Sequence, residues 1–146
     1  EYALRAMIRL SLNYGGEPLR IVEISEREKI PKKFLEQILL ERKKAGLLRS
    51  RRGAGGGYSL IRPPREITFA QVIRIIDGPL APLGCVSKHA YVSCPDEKSC
   101  GLYRVMLDVR NATARILEGV TFADACRDMG GSVGGKRGGK SRRKSP

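Results

Sequence analysis

The chain has no long apolar run. Its apolar stretches are a few residues long with charged neighbours, which excludes a membrane-spanning helix. Histidine is nearly absent. With His89 alone, and nothing beside it in sequence to orient it, cysteine-based catalysis lacks an activating base, and an enzyme is not expected. Acidic residues are also scarce: 15 Asp and Glu face 28 Lys and Arg, a net charge of +13. A surface evolved for solubility mixes both signs, so an excess of this size points to a polyanionic partner, namely DNA, RNA or an acidic membrane face. No signal peptide is evident, because the opening EYALRAMIRL already has an amphipathic helix pattern. The expectation is a cytoplasmic protein whose four cysteines are thiols for metal or redox chemistry rather than disulfides, with Cys126 the best candidate for a buried, inert one.

A length of 146 residues supports one compact domain plus appendages. Leu4, Met7, Ile8 and Leu10 predict a first helix over 2–14, ended by Gly15, Gly16 and Pro18. A second covers 21–28. Pro31 favours the first turn of a third, which runs to Ala45, buries Leu35, Ile38 and Leu39, and stops at Gly46. The period then changes: 47–52 and 58–61 read as two strands around the glycine-rich turn 53–57. Thr68 and Gln71 form a capping box that opens a fourth helix. After a loop rich in Cys, Pro, Gly and Ser, a long helix over 101–118 carries apolar residues at spacings of three and four, a face that needs a partner surface: either its own domain or, the favoured reading, a second copy. The fold class expected is mainly α with a small β-hairpin wing. The chain divides into a winged helix-turn-helix domain (1–78), a cysteine-rich loop (79–100), a dimerisation helix with a short C-terminal helix (101–129) and a disordered basic tail (130–146).

Two constellations carry chemistry. Lys33 and Gln37, four residues apart, share one face of the third helix opposite Leu35 and Leu39. Gln pairs bidentately with adenine in the major groove and Lys reaches guanine or phosphate. Phe34 has two open roles, contact with a thymine methyl or packing in the core. Arg49, Arg51 and Arg52 load the hairpin for phosphates or a minor groove. The glycine turn lacks the Lys-Ser/Thr ending of a phosphate-binding P-loop, which rules that reading out. The second constellation is Cys85, Cys94 and Cys100, spaced C-x8-C-x5-C. Thiolates are soft ligands for iron–sulfur clusters, zinc or copper(I), but the paired C-x2-C of a zinc ribbon and the spacings of ferredoxins are missing. Spacing alone leaves metal ligation and free thiols both open.

The runs EYALRAM, ISEREKIPKKFLEQILLERKKAGLLRSRRGAGGGYSL and IDGPLAPLGC, with the later cysteines, resemble the Rrf2 family of winged-helix transcriptional regulators over nearly everything up to residue 128. The resemblance implies that Lys33, Phe34 and Gln37 occupy base-reading positions of a recognition helix, that Arg52 is a wing arginine entering the minor groove, and that the helix from Gly101 dimerises. Cluster-binding members carry three cysteines in this loop, usually as C-x5-C-x5-C, so the first interval here is three residues longer. Tyr103 stands where one member has a ligating histidine. In some members an acidic residue directly before the first-helix motif ligates the partner subunit's cluster, and Glu1 matches that position. As a helix-starting glutamate it would also favour the macrodipole.

The expectation is therefore a homodimeric regulator, a repressor by family habit, that binds double-stranded operator DNA. An iron–sulfur cluster ([2Fe–2S] or [4Fe–4S]) would be ligated by Cys85, Cys94, Cys100 and Glu1. Two alternatives stay open: a cluster-free sensor of thiol state or cysteine metabolism in the same family, and a basic RNA-binding protein using its tail.

Overall fold

The computed structural model describes residues 1–131, and residues 132–146, most of the expected basic tail, lie outside the described residues. Helix α1 (Tyr2–Leu12) turns Ala3, Ala6, Met7 and Leu10 into the core. Buried Ser11 is satisfied by donating to the Met7 carbonyl at 2.7 Å. The helix ends two residues before the expected Tyr14: Gly15 takes a positive φ of 84° and the Asn13 side-chain amide donates to the Glu17 carbonyl at 2.7 Å, which turns the chain.

Helices α2 (Ile21–Glu28) and α3 (Lys32–Lys44) are joined by three residues. Lys29 adopts φ 53°, and buried Ile30 donates its amide to the Ser25 carbonyl while the Ser25 hydroxyl donates to the Ile30 carbonyl. Both bonds lock a tight helix-turn-helix junction. Pro31 is the residue before α3 rather than its first turn, and its carbonyl accepts from the Phe34 and Leu35 amides. The inward stripe of α3 contains Leu35 and Leu39 as expected, but its third member is Arg42, 1% exposed. A terminal nitrogen of its guanidinium donates to the Glu41 carboxylate at 2.7 Å and to the Ile38 carbonyl, which pairs the buried charge, while its Nε–H is buried with no acceptor among the described residues.

Strands β1 (Leu48–Arg51) and β2 (Gly57–Leu60) pair antiparallel, with Leu48 opposite Leu60 and Arg51 opposite Gly57. A one-residue bridge adds Leu19, which exchanges backbone bonds of 2.8 and 3.0 Å with Tyr58. That bridge explains Gly57: at φ 150° its backbone lies so close to Leu19 that a Cβ would sit 2.3 Å from the Leu19 oxygen.

Helix α4 (Phe69–Asp77) opens with the expected capping box, Thr68 accepting from the Gln71 amide and the Gln71 side chain from the Thr68 amide. A loop with one 3-10 turn (Gly84–Val86) leads to α5 (Gly101–Gly119) and then α6 (Phe122–Asp128). Although α6 follows α5 in sequence, it packs on the winged-helix unit. Thr68 and Thr121 form a β-bridge, Phe122 is fully buried with its ring stacked 4.4 Å from that of Phe69, and α6 lies along α1.

Helix α5 buries no residue completely. Met106, Leu107, Ala114 and Leu117 are half-buried on its own chain, while Leu102, Val105, Val109, Ala112 and Ile116 are exposed on the other side. The exposed set repeats at three, four, three and four residues, the a/d spacing of a helix–helix seam.

Candidate nucleic-acid interface and cysteine loop

The helix-turn-helix leaves the outer face of α3 open. Lys33, Phe34 and Gln37 are all exposed there. Phe34 is 61% exposed, so it is not core; its ring centroid lies 6.5 Å from that of Tyr2 at the start of α1. Reading the helix onward adds two residues that the sequence reading passed over. Leu40 and Lys44, three and seven residues beyond Gln37, are exposed on the same face. The periodicity of α3 followed to its end would have found them.

On the wing, Arg49, Arg51 and Arg52 are exposed. The Arg49 Nε donates to the Ser59 hydroxyl across the hairpin at 3.1 Å, and the Arg51 guanidinium lies 4.0 Å from the Glu17 carboxylate. Arg52, at the turn, has no ion-pair partner among the described residues. The glycine turn thus presents cations at the tip of a hairpin held to the core by Leu48 and Leu60, both buried. Facing a duplex, the α3 face offers a bidentate amide and ammonium groups, and the wing offers guanidinium forks; together these suit base edges and phosphates respectively.

Behind this face an ionic network ties α1 to α2. Glu28, the last residue of α2, accepts from the Arg9 Nε at 2.6 Å, and Arg5 lies 3.8 Å from the same carboxylate while donating to the Glu28 carbonyl. Arg5 also reaches Glu1, whose carboxylate is 3.5 Å away and open to solvent. Glu1 is therefore one ion pair removed from the residue that precedes the helix-turn-helix junction. The Arg residues four apart on α1 were the sequence signal for this network.

Cys85, Cys94 and Cys100 are free and half-buried. Cys85 lies in the 3-10 turn. The loop folds back there, the Val92 amide donating to the Gly84 carbonyl. The Cys94 carbonyl accepts from Glu97 and the Cys100 carbonyl, at the start of α5, from Tyr103. By donor type the three thiols suit an iron–sulfur cluster. As folded in the single chain, however, no three His, Cys, Asp or Glu side chains form a metal-binding group among the described residues. His89 is exposed in the same loop. Cys126 is different: it is fully buried, its sulfur lies 3.9 Å from the Ile8 carbonyl, and burial pushes its thiol pKa up, which keeps it protonated and a poor ligand. No described helix is long and apolar enough to cross a membrane.

Residues 1–128 match the Rrf2 family, described as an iron-dependent transcriptional regulator. A helix-turn-helix, rrf2-like regulator of Rhodobacter capsulatus is 39% identical over 130 residues, covering 85% of this chain and 87% of that protein. Among solved structures, CymR, the global cysteine regulator of B. subtilis, superposes with a TM-score of 0.74 at 28% identity, covering 87% of this chain and 92% of that one. T. potens IscR superposes with a TM-score of 0.68 at 32% identity, covering 88% and 82%. The winged-helix fold, the family match and the regulator relatives agree, and the chain belongs to the Rrf2 family of transcriptional regulators.

Proposed function

We propose that this chain is a cytoplasmic, homodimeric repressor that reads operator DNA with Lys33, Phe34, Gln37 and the wing arginines, and whose affinity is set by an iron–sulfur cluster on Cys85, Cys94 and Cys100. The observation that carries this reading is the pairing, in one small chain, of an exposed cationic face on α3 and the wing with a loop of three free, half-buried thiols that leads into α5. The family's description as iron-dependent supports the metal, and the exposed heptad stripe of α5 supports the dimer. Because the single chain does not assemble three donors, the loop would have to close around the cluster, with Glu1 of a second copy completing the ligand set. The cluster would supply a centre whose oxidation or loss changes the charge and shape of the loop. What this chain supplies is a state-dependent contact, since a ligand shifts an equilibrium only by its differential affinity.

Gln37→Ala should lower affinity for a selected operator by about 1–3 kcal/mol and relax preference at defined base pairs, while binding to random duplex changes little. Fluorescence anisotropy on both duplexes checks this, and equal losses on the two would remove Gln37 from base reading. Selection from random duplexes separates DNA from RNA recognition, because an RNA-binding protein enriches no duplex motif.

Glu1→Ala releases Arg5 from one of its two carboxylates. If Glu1 closes the ligand set, the variant should keep a cysteine-bound cluster with an altered absorption spectrum and a smaller affinity difference between loaded and cluster-free protein. An unchanged spectrum and response would assign the fourth ligand elsewhere.

A second reading is favoured by the absence of a preassembled donor group among the described residues and by the likeness to a cysteine regulator. In it the same three thiols sense oxidants or a thiol metabolite directly. Iron and sulfide assay of anaerobically purified protein separates the two, since only the first reading requires iron and sulfide in the protein.

A further inference from the structure

A cavity of about 50 Å3 opens between the end of α4, the cysteine loop and the inward side of α5. Its charged lining is Arg74 from α4, Lys88 from the loop and Arg110 from α5, against one carboxylate, Glu118. That carboxylate is already engaged: it accepts from a terminal nitrogen of Arg74. The bond from Arg74, with Lys88 and His89 nearby, holds the Glu118 carboxyl below its ordinary pKa.

The remaining donors are unanswered. The Nε–H groups of Arg74 and Arg110 are both buried with no acceptor among the described residues. Neither Arg110 nor Lys88 makes an ion pair there. Residues 132–146 contain no Asp or Glu side chain that could answer them. Buried guanidinium donors left without an acceptor are costly, and guanidinium groups pair with planar or tetrahedral oxyanions through several charge-assisted bonds. The cavity has room for a few water-sized groups, the size of one such anion rather than a nucleotide. Leu80, Ala81 and Ala114 close the apolar side.

We propose that this cavity binds a small oxyanion, a carboxylate or a tetrahedral phosphate or sulfate, through Arg110, Arg74 and Lys88. The site is separate from the exposed apolar stripe of α5 and from the α3 face. Because it joins α4, the cysteine loop and α5, occupancy would stiffen the junction between the winged-helix unit and the helix that carries the stripe. Binding to the protein alone tests it, independently of any operator or cluster.

The full chain is titrated calorimetrically, and its thermal unfolding followed, with sodium phosphate, sulfate and acetate at matched ionic strength, sodium chloride being the reference. At least one oxyanion should bind saturably and raise Tm by about 4 °C at ten times its Kd. A response to phosphate or sulfate alone assigns the tetrahedral class, and a response to acetate alone the carboxylate class. Arg110→Gln, which keeps the Arg74–Glu118 pair, should weaken binding about tenfold or more. Lys88→Gln, at an exposed loop position, should weaken it as well and decides the matter if the Arg110 variant fails to fold. No oxyanion exceeding chloride, or wild-type affinity in the folded variants, overturns the proposal.

Discussion

Serine at Cys85, Cys94 or Cys100 should abolish the visible chromophore of anaerobically reconstituted protein, while Cys126→Ser leaves it intact. A serine hydroxyl is far less acidic than a thiol and harder as a donor, so at neutral pH it is a much poorer ligand for cluster iron than a thiolate. The three loop cysteines are half-buried and free, so each can be reached by iron and sulfide. Cys126 sits fully buried under α1 with a raised pKa, and removing its sulfur changes packing rather than ligation. Absorption spectra with iron and sulfide assays read the result. A colour retained in all three loop variants would exclude the proposed ligand set, and a wild type that takes up neither iron nor sulfide would favour direct thiol sensing.

Phe122→Ala should destabilise the folded protein by about 3–5 kcal/mol, the range for truncating a buried aromatic ring. The ring is 0% exposed and stacks on Phe69 with an interplanar angle of 3°. Stacked pairs add about 0.5–1.5 kcal/mol beyond the area they bury. The backbone on either side is committed too: the Phe122 amide donates to the Ile67 carbonyl at 3.0 Å, and the Phe69 amide to Val120 at 3.1 Å. The cavity would open where α6 meets α1 and α4, so α6 and the winged-helix unit should lose stability together in urea denaturation. A loss under about 1 kcal/mol would place α6 outside the cooperative core.

Those two effects mark what could and could not be read in the residues. Helices α2, α3 and α4 and the hairpin were legible because each has a local signal: the apolar period, the Thr68–Gln71 box, the glycine turn. Their ends drifted where tertiary contacts decide, as at Asn13 and Pro31. Arg42 was not legible, since a cation on a buried stripe becomes tolerable only through its bond to Glu41 and the fold around its stem. The return of α6 to α1 was not legible either. It rests on the Thr68–Thr121 bridge, 53 residues apart, for which no local pattern exists. On the outer face of α3 the helical period placed Lys33 and Gln37 opposite Leu35 and Leu39, while the exposure of Phe34, whose ring lies 6.5 Å from that of Tyr2, had no signal in the local pattern. The cysteines stood out by residue type, but whether three donors converge is a property of the loop's path, which spacing does not encode.

The most direct measurement is operator affinity against the state of the three thiols. A duplex selected from random sequence is titrated by fluorescence anisotropy with the same preparation in three forms: reconstituted with iron and sulfide, reduced and metal-free, and oxidised. The Cys85→Ser/Cys94→Ser/Cys100→Ser triple variant is measured alongside. The expected result is a difference of about tenfold or more between forms of the wild type, a coupling of about 1.4 kcal/mol, and one constant affinity for the triple variant. Equal wild-type affinities in all forms, or a state dependence that survives in the triple variant, would contradict regulation through this loop.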